Sequence, residues 1–237
     1  MQKQGKSDSE WVSLSDMMTW LMLIFLLISI VTISNIQSKN LNQKEVVQEY
    51  NNARNEIYAD LKKILKENET EWNMEIGEDL IIKFSNPDVL FEPDSAQIKQ
   101  KFQSILNEFI PKYLSVINDA KYKNQIKEVR IEGHTGIWCE NVYMYCINLS
   151  QDRSNSVLSY IFDTMTFINL SENDKIKLKF WLISNGMSSW RNIDNDWQFI
   201  YKSWKPVNGA KSRRVEFQIV TNSDELYEKI KKLQNIK

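Results

Sequence analysis

Residues 128–165 read EVRIEGHTGIWCENVYMYCINLSQDRSNSVLSYIFDTM. The opening segment, Glu128–Gly133, predicts a strand, a long loop follows, and a helix is predicted from about Ser150 to Met165. Upstream, Trp72, Met74 and Ile76 alternate with polar residues, Gly77-Glu78-Asp79 supplies a turn, and Leu80–Phe84 returns, which is a hairpin pattern. After Pro93, Asp94 and Gln97 resemble a capping box, predicting a helix to about Asn118. Its apolar positions (Ile98, Phe102, Ile105, Leu106, Phe109, Ile110) keep helical spacing, and Pro111 marks a place for a kink. Downstream, Ile176, Leu178, Phe180 and Leu182 alternate with Lys177, Lys179 and Trp181, which predicts a half-buried strand. Val215, Phe217 and Ile219 alternate in the same way, and Asp224–Gln234 has the pattern of an amphipathic helix. The order β-β-α-β-α-β-β predicts an α/β (α+β) two-layer sandwich, a mixed sheet with helices on one face. The insertion 188–205, with Trp190, Trp197 and Trp204, receives no role from the sequence.

The N-terminal part has a different character. Met17–Ile36 is 20 residues without a charge. A helix of that length is about 30 Å long, the thickness of a bilayer core. A buried core helix would be shorter and flanked by polar periodicity. A cleavable signal peptide would carry a basic leader, whereas Asp8 and Glu10 offset Lys3 and Lys6, and no A-x-A-like site follows. An uncleaved anchor over 13–36 is the expectation, preceded by a tail at 1–12. Lys3 and Lys6 on one side and Lys39 and Lys44 on the other leave the positive-inside rule undecided. The short tail before a large polar domain points to export of the C-terminal part. With 30 Lys+Arg against 31 Asp+Glu, the chain has no basic field for nucleic acid.

Asp16 stands at the start of the span, before Met17-Met18-Thr19. A carboxylate at membrane depth is rare unless it faces a protein interface or a wet path, and desolvation raises its pKa toward reversible protonation. The competing reading is a helix cap in the headgroup region, favoured by the macrodipole. Physics alone divides these evenly. Between 37 and 70 the chain is polar and lacks Gly and Pro, and Val47, Tyr50, Ile57, Leu61 and Ile64 fall at alternating three and four spacing, interrupted by Arg54. That is a short seam for a parallel helix pair; a helix packed on its own domain is the alternative.

These motifs carry a resemblance. Ser13–Leu26 (SLSDMMTWLMLIFL) resembles the MotB-type stator helix, in which an Asp before a Met-Thr pair binds the translocated ion. FSNPDVLFEPDSAQI (84–98), IEGHT (131–135), LSQDR (149–153) with Val157 and Leu158, and SRRVEF (212–217) resemble the ordered motifs of the OmpA-like peptidoglycan-binding domain. The resemblance places that domain at 71–222, with 37–70 as a helical linker or plug and 223–237 as a C-terminal helix. Trp20–Leu26 where flagellar MotB is alanine-rich, the LSQDR start and the enlarged loop at 136–147 are more similar to the ZorB branch, from the Zorya anti-phage defence system. Flagellar-type MotB and a passive membrane-to-wall tether are the alternatives.

The resemblance implies a single-pass protein of the bacterial inner membrane, its N-terminus cytoplasmic and its domain periplasmic. It implies MotA- or ZorA-like multi-span partners, a second copy of the chain, and proton transfer at Asp16 with sodium still open. The ligand it implies is the wall's stem peptide, whose diaminopimelate offers carboxylates and an ammonium. Arg153 takes the carboxylate in this reading, with Thr135, Tyr145, Cys146 and Leu149 around it. Two residues depart from the pattern: Gly136 stands for the Asp that would receive the ammonium, and Cys146 for an Asn. Glu132, Glu140 and Asp152 are the candidate replacements for the missing anion. His134 is read as a structural residue at a strand end, without ligands at metal spacing beside it. Cys139 and Cys146, the only cysteines, either close a short loop in an oxidising compartment or stay separate thiols. No cofactor is expected, and no nucleophile-base pair points to an enzyme.

Overall fold

The computed structural model of the chain describes residues 5–136 and 143–222. Helix α1 runs Gly5–Leu65. Strands β1 (Met74–Ile76) and β2 (Ile81–Phe84) form the expected hairpin. The turn α2 (Pro87–Leu90) leads to helix α3 (Gln100–Ile117), then strand β3 (Ile126–Gly133) and helix α4 (Tyr143–Asp163). The turn α5 (Met165–Ile168), helix α6 (Glu172–Trp181) and strand β4 (Leu182–Gly186) follow. Turns α7 (Ile200–Ser203) and α8 (Gly209–Ser212) lead into strand β5 (Val215–Thr221). The sheet order is β1-β2-β5-β3-β4, with β3 and β4 parallel and the other pairs antiparallel. The expected mixed sheet is present, with an additional helix, α6, ahead of β4.

The described residues divide into two compact units, one up to residue 50 and one from residue 51 onward. In the first, Met17–Ser38 is a stretch of 22 residues long and apolar enough to cross a membrane, with its large apolar side chains exposed. Among the described residues it is the single helix of that kind.

In the second unit, cross-strand register decides what the sheet buries. Phe217 lies beside Ile82 on one side and Ile131 on the other, and Val215 lies beside Phe84 and Gly133. These residues share a face, and the Phe109 ring of α3 packs on Phe84 and Phe217 at centroid distances of 5.1 and 5.0 Å. Gly133 is on that same face. A Cβ on it would collide with the Ser150 carbonyl of α4, and one on Gly186 would come within 2.5 Å of Gln151 N. So α3 and α4 cover one face, and the two glycines allow α4 to lie against the strand ends. The other face is polar, with Lys83, Glu132 and Glu216 upon it, and the Trp-rich insertion reaches it. Trp197 lies between Lys83 and Lys211, whose ammonium groups are 4.8 and 4.6 Å from the ring centre. Trp190 and Trp204 stay exposed.

Several expectations need correction. The segment 176–181 is helical, and the strand begins only at Leu182. Ser171 caps α6 through Asp174 N, the first turn is acidic, and the buried residues Leu178 and Trp181 are three apart. Ile176 and Phe180, which produced the apparent alternation, are exposed. Helix α3 starts at Gln100 rather than near Pro93, because Phe91 and Ile98 bridge across an intervening loop in which Asp94 has a left-handed φ of 53°. Pro111 sits inside α3, which continues to Ile117. Helix α4 begins at Tyr143, seven residues before Ser150, shortening the expected loop. At the end of α1, Ile57, Leu61 and Leu65 are buried in the domain core, so this part of the expected seam packs on its own domain. The C-terminal helix at 223–237 lies outside the described residues.

Candidate functional site

Where β3 ends, the chain passes through His134, Thr135 and Gly136, and these form one side of a cleft of about 290 Å³. Leu149 and Arg153 of α4 form its floor, Arg213 and Arg214 stand at the entry to β5, and the α2–α3 segment from Pro87 to Lys99 forms the far wall. The LSQDR run explains how α4 is placed. Ser150 Oγ accepts from Ser188 N at 2.9 Å, and Gln151 both accepts from Gly186 N at 2.8 Å and donates to Ser184 O at 3.2 Å. Two residues of the motif therefore hold the helix on β4, leaving Leu149 and Arg153 directed at the cleft.

Arg153 is nearly buried. Its Nε donates to Ser95 O at 2.9 Å, and its guanidinium carbon lies 5.1 Å from the centre of the Phe91 ring. Burial pulls its pKa down, Asp94 and Tyr145 oppose that, and Arg213 adds to it. A guanidinium keeps its charge under such shifts, so the residue is a fixed cation at the cleft. Tyr145 does not line the cleft. Its hydroxyl donates to Asp94 Oδ1 at 2.5 Å, which steadies the acidic residue opposite Arg153. The hydrogen bond to Asp94 raises the Tyr145 pKa. Cys146 also lies outside the lining. It is fully buried and disulfide-bonded, while Cys139, its expected pair, is outside the described residues.

Among the described residues, no candidate that the sequence offered for the anion missing at Gly136 lines the cleft. Asp152 is exposed and away from the lining, and Glu140 is outside the described residues. Glu132 is buried on the polar face, 3.7 Å from both His134 Nε2 and Arg191 Nη1. The acids that do line the cleft are Asp88, Glu92 and Asp94, on the far wall. Sequence reading placed Asp94 in a helix cap and passed over Arg213; the SRRVE motif was the available signal for the latter.

Beneath the cleft, His134, Glu132 and Glu216 come together, in contrast to the expectation that no ligands accompany His134. Their donor atoms lie within 4.8 Å of one another, with His134 Nε2 at 3.6 Å from Glu216 Oε2, so the trio has the donor set for a metal ion. Charge argues for a different use. Arg214 Nε donates to Glu216 Oε1 at 2.5 Å and Arg191 faces Glu132, so each carboxylate already has a cation. Burial would raise the Glu216 carboxyl, but His134 and Arg214 outweigh it and hold it well below the usual carboxylate range. Asp16 lies on α1, and its side chain is outside the described part of the molecule.

No family model matches the chain. The structure is similar to the periplasmic domain of MotB (18% identity, 65% of this chain and 70% of that one, TM-score 0.42) and to that of Helicobacter pylori MotB (17%, 68% and 97%, 0.45). A protein from a strain of Escherichia coli named Zorya protein ZorB is 20% identical over 198 residues, 78% of this chain and 76% of that protein. Zorya protein ZorB of Escherichia coli strain Crooks is 35% identical over 230 residues, 94% of this chain and 92% of that protein. With that identity over 94% of its length, the chain belongs to the ZorB family.

Proposed function

We propose that the chain is the wall-anchored, ion-driven inner-membrane stator subunit of a Zorya-type anti-phage complex. The observation that carries this reading is the 35% identity to a Zorya ZorB protein over 94% of the chain, because it spans both the apolar helix and the cleft domain. Asp16 is the proton carrier in this reading, within a helix that cannot by itself enclose a path. A multi-span ZorA- or MotA-like partner and a second copy of the chain complete the path. The domain is periplasmic, and its cleft holds the stem peptide of peptidoglycan through Arg153, with Thr135 and Leu149 beside it. The gathering of these three residues at one cleft supports that assignment.

The two halves of the proposal are tested separately. Asp16→Asn abolishes anti-phage protection while the subunit still co-purifies with its multi-span partner; protection at the normal level in that variant removes Asp16 from ion transfer. Arg153→Ala loses retention on isolated sacculi by roughly 10- to 100-fold, the worth of hydrogen bonds to a charged group. Unchanged retention would remove the cleft from wall binding, and loss of retention with full protection would leave the anchor dispensable.

A further inference from the structure

Two adjacent arginines enter β5 and have opposite fates. Arg214 is buried and fully engaged, by Glu216 through Nε and by the carbonyls of Arg191 and Ser212 through Nη1 at 3.3 and 3.2 Å. Arg213 lines the cleft, and its Nε is buried without a hydrogen-bond partner. An unsatisfied buried donor on a cationic group is costly and calls for a physical reason, a bound anion among them. Thr135, 2% exposed and on the same side of the cleft, likewise has its hydroxyl oxygen buried without a partner.

Gly136 is the reason Arg213 can lie there. A Cβ at this position would stand 2.8 Å from Arg213 Cγ and 3.0 Å from its Cδ, so the arginine stem occupies the space of a side chain at 136. No glycine of the described residues has a positive φ, so the glycine answers a need for space rather than for a special backbone. Arg153 faces the same cleft, and the Arg213 charge adds to the burial that pulls the Arg153 pKa down. The acids of the cleft are on the far wall, where Asp94 is taken by the Tyr145 hydroxyl. Among the described residues, the Gly136 end thus holds a guanidinium with no carboxylate paired to it, an orphan N–H and an orphan hydroxyl.

From these features we infer that Arg213 is a second ligand-binding guanidinium, and that the cleft takes a peptide presenting two carboxylates, one to Arg153 and one to Arg213. The inference rests on the wall-peptide reading and sharpens it. The end of the cleft at 136 receives an anion and cannot receive an ammonium. Specificity then follows from charge, since a ligand amide in place of the second carboxylate leaves Arg213 facing a neutral group.

The test uses the full chain in detergent micelles and a synthetic stem tripeptide ending in diaminopimelate, with both carboxylates free or with either one amidated. In the natural chain each amidation weakens binding, by roughly 10- to 100-fold. Arg213→Gln binds the free tripeptide more weakly by a similar factor and becomes indifferent to one of the two amidations. Gly136→Asp does the same, because its side chain takes the space of the Arg213 stem and its carboxylate competes for the displaced guanidinium, and unchanged thermal melting shows that both variants fold. Arg153→Ala becomes indifferent to the other amidation. If both Arg213→Gln and Gly136→Asp remain as sensitive as the natural chain to both amidations, the role of Arg213 is overturned and wall binding through Arg153 stands. If the natural chain binds neither the tripeptide nor sacculi, the wall reading and this inference fall together.

Discussion

Arg214 and Glu216 show how a sequence motif can be structural within a functional site. Glu216 is 6% exposed, held by Arg214 at 2.5 Å with His134 nearby, and its carboxyl is kept well below the usual range despite burial. Removing one partner of a buried pair leaves the other charge uncompensated, so Arg214→Ala lowers stability by about 3–5 kcal/mol in urea titration. The sign of the acid dependence follows. A carboxyl with a depressed folded-state pKa contributes stability above its unfolded value, about 4.3 for glutamate, and loses it as pH falls through the folded value. The stability of the natural chain therefore declines steadily below about pH 4.3, and Glu216→Gln flattens that decline. Sequence reading recognised the SRRVE motif but did not separate the two arginines. Their side chains diverge through contacts with Arg191 and Gly136, which are distant in the chain.

Among the elements, α6 is the instructive case. Ile176 to Leu182 alternates as a strand would, yet local signals for a helix were present in the same segment: Ser171 ahead of Glu172 and Asp174, and Lys179 near the end. Alternation over seven residues also fits a helix in which only Leu178 and Trp181 are inward, with Phe180 exposed. Because the cap helps hold this short helix, Ser171→Ala costs about 1 kcal/mol, read as a lower melting temperature with the strand signal at β4 intact. Strands β1, β2, β3 and β5 were legible because each has a buried face or a turn that fixes its period. The start of α3 was not, since the Phe91–Ile98 bridge that delays it depends on the rest of the cleft wall.

For the molecule as a whole, the boundary of the folded unit matters most. The sequence motifs place the domain at 71–222, whereas the compact unit begins at Asn51 and takes Ile57, Leu61 and Leu65, each 0% exposed, into its core. Asp60 is tied to Lys121 and to the Tyr122 hydroxyl, which hold its carboxyl below the ordinary value. A chain starting at residue 51 therefore unfolds in one cooperative transition, while one starting at 71 loses three core side chains, each worth about 2–5 kcal/mol, and melts far lower or not cooperatively. Equal melting of the two would show that the end of α1 is not part of the domain. By itself the sequence determined the apolar span, the place of Asp16, the strands β1, β2, β3 and β5 and the four motifs, because hydrophobic period and turn chemistry are local properties. Tertiary structure alone decided which arginine lies against Gly136, which acids line the cleft, and how the Trp-rich insertion lies on the polar face of the sheet. These depend on register and close approach between segments far apart in the chain, where one missing Cβ at Gly136 changes what the cleft can hold.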